Sequence, residues 1–121
     1  MNNLRLLAAT AAAVLFASPT AAHHGWAGYL DQEFSLSGTI ESANLGGPHG
    51  VLRVRSGRGV WEVVLAPPTR ISRAGLTLQN VPRGTRVTAQ GHRHRDPRRL
   101  EMKTERLVVG RRTFDLYPER R

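Results

Sequence analysis

Apolar and polar residues alternate along most of the chain after residue 33, and this two-residue period is typical of β-strands with one buried face. The first such segment runs from Phe34 to Glu41, and Gly38 inside it predicts a bulge or a sharp bend that lets one long strand serve two sheets. The same pattern predicts further strands at 51–55, 60–65, 86–94, 100–109 and 113–117. In the predicted strand at 100–109 the alternation loses its phase between Thr104 and Arg106.

One short helix is predicted between the third and fourth strands. Pro67 and Pro68 end the third strand and suit a first helical turn, Ile71 and Ala74 have helical spacing, and Gly75 limits the length. This order of strands and helix is typical of the oligonucleotide/oligosaccharide-binding (OB) barrel. We therefore predict an all-β fold: a small five- to six-stranded Greek-key barrel, OB-fold-like, with one short helix between strands 3 and 4. A small open sandwich is the alternative, and neither fold selects a function by itself.

The first 22 residues have the composition of a secretory signal peptide. A short polar start with Arg5 precedes an apolar run from Leu6 to Phe16, and small residues lead up to Ala22. The run is shorter than the roughly 20 apolar residues that span a bilayer, which favours cleavage over a retained lipid-embedded helix. We predict a periplasmic or secreted protein without a stable membrane anchor, divided into a cleaved signal peptide (1–22), an N-terminal arm (23–33), a barrel domain (34–117) and a tail (118–121).

The chain after Ala22 has 99 residues (121 minus 22), which suffices for one domain. It contains 17 of the 18 basic residues and all 9 acidic ones, so its formal charge is 17 minus 9, or +8. Such a charge attracts anionic partners without specifying them. Because the chain has no cysteine, disulfides and thiolate metal sites are excluded, and stability must come from the packed core.

Histidines supply the clearest candidate chemistry. If cleavage follows Ala22, His23 becomes the first residue, and its α-amine and Nδ1 can chelate one metal ion. An imidazole from elsewhere then completes a planar or T-shaped nitrogen set that suits Cu(II). His92 and His94 are candidates for this third nitrogen, because residues two apart in a strand project from one face, here the polar one. His49, in the Gly/Pro-rich loop before the second strand, is a further candidate.

The cleavage point decides which ligands are available. Cleavage after Ala21 makes His24 the third residue, and the amine, two backbone amides and the imidazole of His24 then bind Cu(II) or Ni(II) in a square plane. In either case we expect the site to bind copper in preference to zinc. The competing interpretation is a solvated tail and an exposed strand end that bind no metal, since the chain has no complete metal-binding motif.

A module that binds a polyanion or another extended ligand is the alternative function. Its candidate residues are five arginines predicted to face outward: Arg53, Arg55, Arg86, Arg93 and Arg95. Trp61 shares an apolar face with Val63 and Leu65, so we predict a core residue there and not a stacking platform. Nucleic acid is not an expected partner in an exported compartment. The sequence has no nucleophile elbow, phosphate-binding glycine loop or paired-carboxylate motif, and we predict no enzymatic activity.

Three stretches carry a resemblance to a known family. They are His23-His24-Gly25-Trp26, the segment from Gly91 to Pro97 and the segment from Phe114 to Pro118. Together they resemble the landmarks of an uncharacterised family of small exported bacterial proteins, over essentially the whole chain after the signal peptide. The resemblance implies export and a single β-rich domain, and it implies no activity, cofactor or partner.

Overall fold

The computed structural model describes residues 25–120; the predicted signal peptide, His23 and His24 lie outside the described residues. Six strands and two short helices follow one another along this part of the chain. The strands are β1 (Tyr29–Asn44), β2 (Val51–Ser56), β3 (Gly59–Val64), β4 (Arg86–His94), β5 (Glu101–Val109) and β6 (Arg112–Asp115). A short α-helix, α1 (Pro68–Ala74), and a 3-10 helix (Leu78–Asn80) lie between β3 and β4.

The strands form one sheet that closes on itself. Its order is β3-β2-β1-β4-β5-β6, and a parallel pairing of β3 with β5 joins the two sides into a ring of five strands. All other pairings are antiparallel, and β6 adds to the free edge of β5 beyond the ring. The predicted all-β barrel with one short helix between strands 3 and 4 is confirmed.

Strand β1 is longer than predicted, because it begins at Tyr29 instead of Phe34 and continues to Asn44. Its first part pairs with β4 and its second part pairs with β2, so one strand serves both sides of the barrel. Gly38 lies where these pairings meet, and a side chain there would overlap with the Arg55 carbonyl. The bulge itself falls three residues later, where the register with β2 skips Glu41.

The core lies inside the ring and is capped at one end by α1. Alternate residues of every strand face inward, which explains the apolar periodicity of the sequence. The side chains that are at most 1% exposed include Ile40, Leu52, Val54, Val63, Leu65, Met102, Leu107 and Phe114. Trp61 is 7% exposed and stacks on Phe34 with ring centroids 5.4 Å apart, and Ile71 of α1 is 2% exposed. The predicted burial of Trp61 is therefore confirmed.

Strand β5 contains the bulge that positions the candidate site. Thr104 pairs with Gly91 and Arg106 pairs with Gln90, so Glu105 is an extra residue on β5. The bulge coincides with the segment in which the sequence loses its alternation. It keeps the inward side of β5 apolar on both sides of the irregularity and turns the Glu105 carboxylate to the outer side of the barrel.

Candidate functional site

A layer of buried polar residues lies on the outer side of β4 and β5. Its members are less than a tenth exposed although they point away from the barrel core: His92, Glu101, Lys103 and Glu105. Residues before β1 and after β6 cover them, through contacts of Trp26 and Tyr117 described below. Buried charges are rare unless they are paired, so this layer is the strongest chemical feature among residues 25–120.

His92 and Glu105 form the centre of this layer. The Nε2 atom of His92 lies 2.6 Å from Oε1 of Glu105, and its Nδ1 lies 2.8 Å from the carbonyl oxygen of Leu30. Because a carbonyl oxygen only accepts, Nδ1 carries a proton and donates it to Leu30. The ring orientation is thereby fixed, and Nε2 is the nitrogen directed at the carboxylate.

Glu105 is shared among several cations. Nε of Arg120 lies 3.1 Å from Oε1, and Nη1 of Arg106 lies 3.5 Å from Oε2. Arg106 also reaches Oε1 of Glu33 through Nη2, at 3.5 Å. One ligand atom from each of Glu33, His92 and Glu105 lies within 4.8 Å of the other two, a spacing that a single metal ion can bridge.

The cluster opens onto a groove of about 380 Å³. Its lining includes four carboxylates together with His92 and Arg120: Asp31, Glu33, Glu105 and Glu119. The whole chain contains only 9 acidic residues against 18 basic ones. The groove therefore concentrates carboxylates on a strongly basic protein, but three of the four are paired with arginines, and a cationic ligand would compete with those guanidinium groups.

Trp26 covers the cluster from the side of the N-terminal arm. Its ring makes an edge contact with His92, with centroids 5.6 Å apart, and a second one with Tyr117 at 5.0 Å. The Arg120 guanidinium lies 4.0 Å from the Trp26 ring centroid and the Lys103 ammonium lies 4.8 Å from it. These contacts seat the arm on the barrel, with Trp26 packed over the His92 cluster.

His94 belongs to a separate cluster at the end of β4. Its Nε2 lies 3.9 Å from Oε2 of Glu101, which also accepts a hydrogen bond from the Tyr29 hydroxyl at 2.7 Å. The Nδ1 of His94 accepts the backbone N–H of Asp96 at 3.0 Å. Burial, and next the hydrogen bond to Glu101, raise the pKa of Tyr29. His92 and His94 share a face as predicted, but each lies beside a different glutamate.

His49 lies beyond the opposite end of β1 from this site. It is half-buried in the loop after β1, whereas Glu33 pairs with His92 near the beginning of the same 16-residue strand. Of the predicted histidines that the structure describes, only His92 belongs to the metal-competent group. Glu33 and Glu105 were not predicted from the sequence; the loss of alternation at 104–106 is the signal that marks the position of Glu105.

Comparison with known proteins identifies the family. The model of a family of unknown function, DUF6152, matches residues 11–103. The chain belongs to this family. The match confirms the resemblance to an uncharacterised family, and it includes both β4 and the arm residue Trp26. No curated protein matches the chain.

Solved structures show the same fold in proteins of unrelated sequence. The chain is similar to asparaginyl-tRNA synthetase from Pyrococcus horikoshii, with 20% identity and a TM-score of 0.50 over 64% of this chain and 19% of the synthetase chain. It is also similar to the S. pombe Stn1–Ten1 complex, with 18% identity and a TM-score of 0.51 over 66% of this chain and 59% of that one. The chain thus spans less than two thirds of either neighbour, and the likeness is one of fold.

The arginines proposed for anion binding lie in two separate places. Arg55 on β2 and Arg86 on β4 both pair with Thr39 of β1. Arg53 lies two residues before Arg55 on β2. Arg55 forms an ion pair with Glu41 at 2.6 Å.

The other two arginines lie at the opposite end of β4. Arg93 lies over the Trp61 ring, 4.7 Å from its centroid, and Arg95 donates through Nε to the Ala27 carbonyl at 2.9 Å. The five residues therefore do not form one continuous patch.

Lys103 is the single lysine of the chain, and it fastens the arm to the barrel. Its ammonium donates to the Gly25 carbonyl at 2.8 Å. The whole residue is 3% exposed. Burial, and next the charge of Arg120, lower the pKa of this ammonium. The charge is therefore costly in the folded protein, and its main contribution is to hold Gly25 and Trp26 in place.

We expect Lys103→Met to loosen the arm while the barrel stays folded. Methionine has a similar volume and needs no buried hydrogen bond, so the free energy of unfolding should change by less than about 1.5 kcal/mol. Acrylamide quenching of Trp26 fluorescence should increase. It is measured in the Trp61→Phe background, so that Trp26 is the single tryptophan that emits. Unchanged quenching together with unchanged stability would show that Lys103 does not hold the arm.

Proposed function

We propose that this protein is an exported small binding or accessory protein that binds copper through His23 at its mature N-terminus, with His92 as the third nitrogen ligand. Export and cleavage after Ala22 are parts of the proposal, and the signal-like composition of residues 1–22 supports them. Among residues 25–120 no helix is long and apolar enough to cross a membrane.

The observation that carries the proposal is the contact between Trp26 and His92. The two ring centroids are 5.6 Å apart, and Trp26 follows His23 by three residues. A chain covers at most about 3.3–3.6 Å per residue, so three steps span roughly 11 Å. A mature chain that begins at His23 therefore has its amine and imidazole within reach of the His92 ring.

The surroundings of His92 suit a metal ligand. Its Nδ1 donates to the Leu30 carbonyl, the kind of outer hydrogen bond that orients ligating histidines, and a metal ion at Nε2 would replace the hydrogen that Nε2 shares with Oε1 of Glu105 at 2.6 Å. The amine and Nδ1 of His23 add two nitrogens, which completes the three-nitrogen set that Cu(II) accepts in a planar or T-shaped arrangement. The carboxylates of Glu105 and Glu33 supply negative charge beside the ion.

The proposal is tested by changing the N-terminus. Protein that begins at His23 should bind about one equivalent of Cu(II) through nitrogen ligands, measured by calorimetry and electron paramagnetic resonance. One extra N-terminal residue displaces the amine from the chelate ring, and the affinity should fall by about tenfold or more. Mass spectrometry of the exported protein should find His23 first; Met1 on the mature product would remove the N-terminal ligand and the proposal with it.

A matched pair of histidine variants tests the third ligand. His92→Ala should weaken Cu(II) binding by about tenfold or more, whereas His49→Ala should leave it unchanged because that residue follows the other end of β1. Equal effects of the two variants would contradict the role of His92. Binding that depends on His24 and tolerates loss of His92 would instead indicate cleavage after Ala21 and the square-planar N-terminal site.

A polyanion-binding module is the second candidate, and the adjacency of Arg53, Arg55 and Arg86 on neighbouring strands supports it. Binding of a sulfated polysaccharide would then weaken steeply with added salt and would be indifferent to the N-terminal extension. Exported protein that binds neither copper nor a polyanion would be a structural protein without a metal.

A further inference from the structure

We infer that Glu105 and Glu33 complete the metal site around His92, and that Arg120 is an internal cation that copper must displace. This inference rests on the proposed copper function and names the device that regulates the same site. These residues come from four separate parts of the chain, which the fold brings to one groove.

Arg120 and His92 both contact the same oxygen atom of Glu105. His92 Nε2 lies 2.6 Å from Oε1 of Glu105, and Arg120 Nε donates to that oxygen from 3.1 Å. A carboxylate oxygen has two lone pairs, and a metal ion bound to Nε2 would use the one that faces His92 while Arg120 holds the other. Such an ion and the Arg120 guanidinium would then be two cations on one oxygen atom, and they would repel each other.

The ligand atoms are close enough to bind one ion after a small side-chain rotation. Two atoms that are each about 2.0–2.2 Å from a metal lie no more than about 4.4 Å apart, and the three atoms here lie within 4.8 Å. The Glu33 side chain is 64% exposed, so it is free to rotate toward the ion. His92 and Glu105 are held in the buried layer and need little movement.

Charge adds to the competition. Two carboxylates balance one divalent ion, but Arg120 and Arg106 already neutralise the same carboxylates. A dication beside both guanidinium groups would be repelled, and the less constrained arginine is expected to leave. Arg106 is also held by Gln90 at 3.2 Å and is 19% exposed, whereas the Arg120 side chain is 32% exposed. Arg120 is therefore the one to move.

Release of Arg120 would be transmitted to the segment after β6. The Arg120 guanidinium would leave the Trp26 ring, from whose centroid it lies 4.0 Å, whereas the hydrogen bond from Arg106 to the Arg120 backbone carbonyl does not involve the guanidinium. Copper loading would thereby weaken the contact of this segment with the arm.

The test uses two charge-matched variants of the protein that begins at His23. Arg120→Gln removes the competing guanidinium and should tighten Cu(II) binding by about tenfold, the sum of a partly exposed ion pair and a cation–π contact. Arg112→Gln is the control, because this substitution removes the same charge away from the site. It also removes a similar contact, in which the guanidinium lies 4.6 Å from the Phe114 ring centroid. Arg120→Lys, which keeps the charge without the forked donor, should lie between wild type and Arg120→Gln. Glu105→Gln should weaken binding by about tenfold or more.

The outcomes separate the two proposals. If wild type binds copper and Arg120→Gln binds with the same affinity, Arg120 does not compete and this inference is wrong while the copper function stands. If both arginine variants tighten binding equally, the effect is one of net charge and the inference is again wrong. If none of the proteins binds copper, the proposed function fails first. Copper binding that appears only in Arg120→Gln would support the competition in its strongest form.

Discussion

Replacing Trp61 with alanine should lower the free energy of unfolding by roughly 3–5 kcal/mol, the cost of removing a large buried ring and leaving a cavity. Trp61 is 7% exposed, stacks on Phe34 at 5.4 Å and is covered by the Arg93 guanidinium at 4.7 Å. Neighbouring core residues belong to strands of a closed ring, which limits how far the site can collapse. Denaturant unfolding followed by circular dichroism measures the effect.

Trp61→Phe provides the matched control for this prediction. It keeps an aromatic ring against Phe34, so we expect a much smaller loss of stability than with alanine. Copper affinity should change little in Trp61→Phe, because the ring lies away from the His92 cluster. A Trp61→Ala variant with wild-type stability and lost ligand binding would show that Trp61 is a stacking platform on the surface.

Gly91→Ala should also be damaging, with a loss of about 3 kcal/mol, the upper part of the usual cost of overpacking. A side chain at Gly91 would overlap with backbone atoms of Lys103 and Thr104 on β5, and backbone atoms cannot rotate aside. Gly91 pairs with Thr104 directly at the bulge that places Glu105, and it precedes His92. The substitution should therefore push β4 away from β5 and separate His92 from Glu105.

Gly28→Ala is the control for this second prediction. A side chain there would meet only the His94 ring, at 3.7 Å, which is an ordinary contact. We expect its free energy of unfolding to remain within about 0.5 kcal/mol of wild type. If Gly91→Ala were tolerated as well as Gly28→Ala, the close approach of β4 and β5 at the bulge would be wrong, and with it the geometry assigned to the His92 cluster.

The sequence by itself determined the elements of the barrel and the faces of its strands. The alternation around Trp61, the proline pair before α1 and the turn glycines each report on a few consecutive residues, and such local signals depend on backbone geometry alone. The same signals placed His92 and His94 on the outer face of β4. They could not show that His92 is buried, because the residues that cover it are distant in the chain.

Only the tertiary structure decided which residues meet at the site. Glu33, His92, Glu105 and Arg120 come from β1, β4, β5 and the segment after β6. Their meeting depends on the register of β1 with β4, and on a one-residue bulge that breaks the alternation of β5. Local periodicity carries no information about pairing partners, because these depend on how the ring closes. For the same reason the sequence grouped His92 with His94 and His49, whereas closure of the barrel grouped His92 with two glutamates.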